Sequence, residues 1–127
     1  MKTISIKQPW ASLIMYGYKD YEFRSWKTNY RGRLLIHASK NIDKQAMKRF
    51  EKLNLEYPVG VIMGEVDLAD CVKVTNDLAN KLYMQDDAVY KNVFDYDKYG
   101  WNIKNVQRYD QYIPVNGKLG LWEFEEK

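Results

Sequence analysis

The segment Gly17-Tyr18-Lys19-Asp20-Tyr21-Glu22-Phe23-Arg24 carries the most distinctive chemistry of the chain. Lys19, Glu22 and Arg24 follow one another at spacings of three and two. In an extended segment, side chains two apart share a face. Glu22 and Arg24 are therefore expected to point one way, and Tyr21 and Phe23 the other. Lys19 sits at the bend after Gly17, where its ammonium can swing toward either face. A carboxylate flanked by two cations, beside aromatic rings, can grip a polar planar ligand. The carboxylate accepts from the amino edge of a base, and the guanidinium forks onto carbonyl or phosphate oxygens. The same residues can instead form an ion pair that ties strands together, worth only ~0–1 kcal/mol when exposed. Lys19 is read first as a binding group and second as a general base, with Glu22 as its partner in proton transfer.

Other residues join this group by position. Trp26 shares the parity of Glu22 and Arg24 if the strand stays regular, which makes it the preferred stacking face. Trp10 is either a second stacking face or a core residue, by its helical spacing with Leu13 and Ile14. Gln8 either offers its amide to the site or caps the helix that follows. The cations Lys27, Arg31, Arg33, Lys40, Lys44 and Lys48 either track a phosphate backbone or form a solvated face. His37, the one histidine, lies inside an apolar run and reads as structural. One histidine and one cysteine exclude a zinc deaminase site, and Cys71 reads as a small packed residue. Asp86, Asp87, Asp95 and Asp97 lack the regular spacing of cation ligands and read as solvated acids. No metal or cofactor is expected. No P-loop is present, which argues against nucleoside-triphosphate hydrolysis.

The elements that must position these residues follow from the pattern. Residues 2–7 alternate as a strand. Gln8-Pro9 opens a short helix striped by Trp10, Leu13 and Ile14, with Gly17 as its C-terminal glycine. Residues 20–26 read as a strand, 29–32 as a turn and 33–38 as a central apolar strand. Asn41 or Asp43 caps a helix that buries Ala46, Met47, Phe50 and Leu53 and turns Lys44, Lys48, Arg49 and Lys52 outward. Tyr57-Pro58 ends it. Residues 59–74 form an inner strand whose glycines allow bending. Leu78, Ala79 and Leu82 favour a helical turn, followed by an acidic, tyrosine-rich loop. Residues 99–103 and 119–124 are strands, with a turn at 113–117. About six strands and two or three helices, without β-α-β alternation, predict a small bent, mostly antiparallel barrel with helices outside.

The 127 residues predict a single domain spanning 1–127. No apolar run approaches the roughly 20 residues that span a bilayer. Met1 to Ile6 enters directly into a strand, without the apolar segment of a signal peptide. With one cysteine there is no internal disulfide, and a cytoplasmic location is expected. Residues 1–52 hold 12 Lys/Arg against 4 Asp/Glu, whereas residues 53–127 hold 8 against 13. If the halves are spatially distinct, a polyanion faces the first.

The whole chain resembles the ASCH domain (activating signal cointegrator homology), a branch of the PUA-like barrel superfamily. The resemblance rests on Ser5-Ile6-Lys7-Gln8-Pro9-Trp10-Ala11 and on the Gly17/Lys19/Glu22/Arg24 signature. It continues in Tyr30-Arg31-Gly32, Leu35-Ile36-His37-Ala38-Ser39-Lys40, Tyr99-Gly100-Trp101 with Asn105, and Gly117-Lys118-Leu119-Gly120-Leu121-Trp122. It implies a mainly β fold, a PUA-like pseudo-barrel, with a cleft beside the first helix floored by the signature residues. It also implies binding of RNA or single-stranded nucleic acid, or of a modified nucleoside. The residues expected at that site are Gln8, Trp10, Lys19, Glu22, Arg24, Trp26, Arg31, Ser39, Lys40 and Trp101. One branch of the family resembles an amidohydrolase acting on acetylated cytidine, and ribonuclease activity is attributed to another member. In the amidohydrolase branch a threonine nucleophile takes the place of Glu22, so Lys19 carries over and the threonine does not. A hydrolase of modified nucleosides or RNA using Lys19 and Glu22 is the alternative function. A third reading assigns a protein partner to segment 83–99.

Overall fold

The computed structural model describes residues 1–94 and 97–125. Asp95 therefore lies outside the described residues, as does part of the segment 83–99. Strands β1 (Lys2–Gln8), β2 (Tyr21–Arg24), β3 (Gly32–Ile42), β4 (Val61–Lys73), β5 (Tyr99–Pro114) and β6 (Leu121–Glu123) form one sheet in the order β2-β5-β4-β3-β1-β6. The pairing of β1 with β3 is parallel and every other ladder is antiparallel. Helices α1 (Trp10–Met15), α2 (Lys44–Phe50) and α3 (Asn76–Gln85) complete the mainly β fold expected, with a short 3-10 turn at Glu51–Leu53.

The sheet curls because its inner strands shift register. Breaks fall at Ile36/His37 on β3 and at Ile62/Gly64 on β4. Gly64 sits at the second of these, where a Cβ would run into the Gln107 carbonyl and, at 2.7 Å, the Met15 terminal methyl. Only glycine lets the strands approach so closely there. The concave side buries Ile4, Ile6, Leu34, Ile36, Met63, Val66 and Trp101 with Ala11, Ile14 and Met15 of α1. A second cluster unites Leu13, Phe50, Ala79, Leu82, Val89, Tyr90 and Val93. It joins α1, α2, α3 and the turn after α3 into one wall beside the sheet.

Several boundaries differ from the sequence reading, each for a physical reason. β5 runs through Pro114, well past residue 103. Residues 104–108 are exposed on both faces and show no alternation; Lys104, Gln107 and Arg108 pair with β4, while Asn105, at φ +51°, sits at a register break in the ladder. α3 is a ten-residue helix capped by Thr75, whose side chain accepts from the Leu78 N–H. β2 ends at Arg24, so Ser25 and Trp26 leave the strand and its parity. In α2, Asp43 is the cap, Ala46 and Phe50 are buried, and Met47 is half-buried.

Candidate nucleic-acid interface

The bend that carries Lys19 is built by the end of α1. Gly17 adopts φ +85°, its N–H donates to the Ile14 carbonyl, and the Tyr18 N–H donates to the Leu13 carbonyl. This pair of bonds is the Schellman closure, which requires a left-handed residue that glycine supplies without strain. The Lys19 N–H also reaches the Leu13 carbonyl at 3.1 Å. Tyr90 fixes the next step: its hydroxyl donates to the Asp20 carboxylate at 2.6 Å and accepts from the Asp20 N–H at 3.0 Å. Burial, with the Asp20 hydrogen bond, holds the Tyr90 phenol well above its usual range.

Lys19, Glu22 and Arg24 converge. Lys19 Nζ donates to Glu22 Oε1 at 2.9 Å, and Arg24 donates to the other carboxylate oxygen through Nε at 3.2 Å and Nη2 at 3.0 Å. Arg24 Nη2 also donates to the Ser5 carbonyl at 2.8 Å. That bond joins β2 to β1, which lie far apart in the strand order. Burial would raise the Glu22 carboxyl. The Lys19 and Arg24 charges and their hydrogen bonds outweigh it and hold the group below the ordinary carboxylate range. Lys19 and Glu22 are both buried, while Arg24 is partly exposed. Lys19 Nζ lies 5.4 Å from the Trp10 ring centroid and 5.1 Å from that of Phe23.

These groups line a cleft of about 490 Å³ between the sheet and the wall of helices. Of the residues singled out in the sequence, Trp10, Lys19, Glu22, Arg24 and Ser39 line it together. Lys40 lines an adjoining, smaller pocket instead. Gln8 is fully buried: its Nε2 donates to the Pro58 carbonyl and its Oε1 accepts from the Ser12 N–H, so its amide is used inside the fold. Trp101 is fully buried in the core, and Trp26 stands edge-on against it at 4.9 Å, away from the cleft. Arg31 donates to the carbonyls of Thr28 and Tyr30 and meets Asp70 at 3.4 Å. Arg33 is held by Glu65 and Asp67. Those two arginines belong to outer ion pairs and line neither pocket.

Phe23, Arg49, Lys98 and Lys118 are among the lining groups that were not foreseen as site residues. Phe23 lines the cleft although alternation placed it opposite Glu22, because both faces of the short edge strand β2 border the hollow. Arg49, expected on the outer face of α2, lies over the Trp10 ring at 5.7 Å and the Phe50 ring at 5.0 Å. Its Nε is buried with no hydrogen-bond partner among the described residues. Lys98 is buried, with its Nζ 4.9 Å from the Phe23 ring centroid. Lys118 enters from the turn before β6. No local pattern marks Lys98, whereas an arginine next to the buried Phe50 is a usable signal for a side chain drawn inward. With Lys7, the lining holds six cations against two carboxylates, Glu22 and Asp43. Asp43 is committed to capping α2, where Oδ1 accepts from the Ala46 N–H.

The segment expected as an acidic loop contributes to the wall. Asp86 Oδ1 accepts from the Ala88 and Val89 N–H groups, and Val89, Tyr90 and Val93 are buried. Asp97 pairs with Lys73 at 3.3 Å. Among the described residues no three His, Cys, Asp or Glu side chains gather as a metal site, and no helix is long and apolar enough to cross a membrane.

The ASCH domain model matches residues 4–120. The chain belongs to the ASCH domain family. Over 136 aligned residues it is 30% identical to activating signal cointegrator 1 of Homo sapiens, and equally to that of Mus musculus, covering 98% of this chain and 22% of each relative. This ASCH domain thus spans about a fifth of the length of the curated relatives it matches. Among solved structures, the ASCH protein of Zymomonas mobilis aligns with a TM-score of 0.59 at 18% identity, covering 90% of this chain and 73% of that one. A point mutant of the same protein gives 0.57 at 18% identity, with 90% and 75% covered. At that identity the likeness establishes the fold.

Proposed function

We propose that this ASCH domain binds single-stranded nucleic acid, RNA in the first instance, by taking one nucleotide into the cleft. The observation that carries the reading is the composition of the cleft wall: a six-to-two excess of cations over carboxylates, with Lys19, Arg49 and Lys98 set against the rings of Trp10 and Phe23. Excess positive charge in a hollow attracts phosphate, and aromatic faces accept any base. In this reading Trp10 and Phe23 provide the apolar wall, taking the role that the sequence assigned to Trp26. Arg49, with its unpartnered buried Nε, and the partly exposed Arg24 bind phosphate or carbonyl oxygens. Glu22 orders Lys19 and Arg24 and presents its remaining acceptor capacity to an amino group.

The test is calorimetric titration of a short single-stranded RNA of mixed sequence into the wild type and Arg49→Gln. The expected result is binding that weakens about tenfold in the variant, the loss of one charge-assisted contact of roughly 1.4 kcal/mol. No binding by the wild type, or equal affinity in both proteins, refutes the proposal.

A hydrolase reading is favoured by one specific observation, the 2.9 Å hydrogen bond from Lys19 Nζ to Glu22 Oε1, which sets a proton donor against an acceptor. Turnover of acylated cytidines that disappears in Lys19→Ala supports it. A panel of acylated nucleosides and RNA that yields no product removes it.

A further inference from the structure

The turn between β5 and β6 separates the cleft from a second pocket of about 330 Å³. The two hollows share Ser5, Ser39, Asn41, Lys118 and Leu119 as a common wall. The second pocket contains two lysines, Lys40 and Lys118, and no carboxylate. The Lys40 stem lies over Gly60, where an added Cβ would sit 3.3 Å from Lys40 Cε. Two amides, Asn41 and Asn116, with Ser5, His37 and Ser39, complete its polar lining. Leu119 stands on the dividing ridge with 98% of its surface exposed.

An almost fully exposed leucine on a loop is ordinarily uninformative, but this loop is pinned. His37 Nε2 donates to the Val115 carbonyl at 2.8 Å, and the Val115 N–H donates to the Gly60 carbonyl at 3.0 Å. Gly117 lies directly on the Ser5–His37 pair, where a Cβ would meet His37 Cε1 and Ser5 Oγ at 2.6 Å. Ser5 Oγ in turn bonds His37 Nδ1 at 3.0 Å and accepts from Trp122 Nε1 at 3.2 Å. The turn is therefore held at Val115 and Gly117 by His37, Gly60 and Ser5, and Leu119, two residues on, lines both hollows.

We propose that the second pocket takes the neighbouring nucleotide of the same strand, with Leu119 inserted as a wedge between the two bases. Lys40 and Lys118 bind the phosphate that joins or flanks the nucleotides, and Asn41 and Asn116 contact the second base or its sugar. Apolar wedges that separate stacked bases serve this purpose elsewhere, and a rigid ridge lowers the ordering cost of binding. The proposal rests on the reading of the cleft as a nucleotide site, and it fixes the minimal ligand as a dinucleotide.

The test compares the four ribonucleoside 5′-monophosphates with their 5′-phosphorylated homodinucleotides by calorimetry. The expected result is that at least one dinucleotide binds roughly tenfold or more tightly than its mononucleotide. Lys40→Gln and Leu119→Ser abolish most of that gain. Lys27→Gln removes an exposed charge that lines neither pocket and keeps the gain, separating local contact from net charge. If mononucleotides bind but dinucleotides gain nothing, or if the gain survives in Lys40→Gln and Leu119→Ser, the second subsite is overturned while the cleft reading stands. If neither ligand class binds, both fall.

Discussion

Glu22 divides its two oxygens between Lys19 and Arg24, and this division decides what its substitution will do. Replacing it by glutamine leaves a buried ammonium beside a guanidinium without their counter-charge. Removing one partner of a buried pair typically costs about 3–5 kcal/mol, far more than an exposed pair is worth. Glu22→Gln is therefore expected to lower unfolding free energy by about 3 kcal/mol or more in urea titration, with the fold retained. The pH dependence has a definite sign. The folded carboxyl lies below its unfolded value, so the stabilisation is fully present above about pH 4.3 and is lost as pH falls through the folded value. Urea titrations at decreasing pH should show this acid-limb loss in the wild type and a shallower one in Glu22→Gln. His37 adds a loss of the same sign. Burial holds its imidazole below the ordinary range, against the Val115 hydrogen bond, so stability declines as pH falls below about 6.5.

At the scale of elements, the site depends on how α1 ends. Gly17 has no atoms within 4 Å of an added Cβ, so alanine meets no clash there and the cost is the left-handed backbone alone. Gly17→Ala is expected to destabilise by about 1–2 kcal/mol, read as a lowered melting temperature, and to loosen the bend that carries Lys19. This glycine, the alternation of Glu22 with Arg24 and the capping Asp43 were legible in the sequence because each is a local rule. The parity of Trp26 was misleading because it assumed a strand that continues, whereas β2 stops at Arg24. The long β5 left no local trace because partner pairing across a register break, not its own alternation, carries the strand through residues 104–108. Arg49 and Lys98 reach the cleft through the tertiary assembly of α2 and the segment before β5 against Trp10 and Phe23, which no window of sequence contains.

Across the whole molecule, the basic first half of the chain does not become one basic face. Arg31 and Arg33 are tied to Asp70, Glu65 and Asp67 on β4, whereas Lys7, Lys19, Arg24, Arg49, Lys98 and Lys118 converge on the cleft. Binding of single-stranded RNA should therefore be strongly salt-dependent. Neutralising three phosphates predicts a slope of about −2 in log affinity against log salt, and Arg49→Gln should flatten it by about 0.7. A slope near zero between ~50 and ~200 mM salt would remove phosphate contact from the account. The most direct measurement is a nuclear magnetic resonance titration of the isotopically labelled protein with a short single-stranded RNA, following both indole and backbone signals. The account predicts that the Trp10 indole and the backbone signals of Phe23, Arg49 and Lys98 shift, while the Trp26 indole and residues 31–33 stay in place. Shifts confined to the outer face around Arg31, Arg33 and Glu65, with the Trp10 indole unmoved, would contradict it.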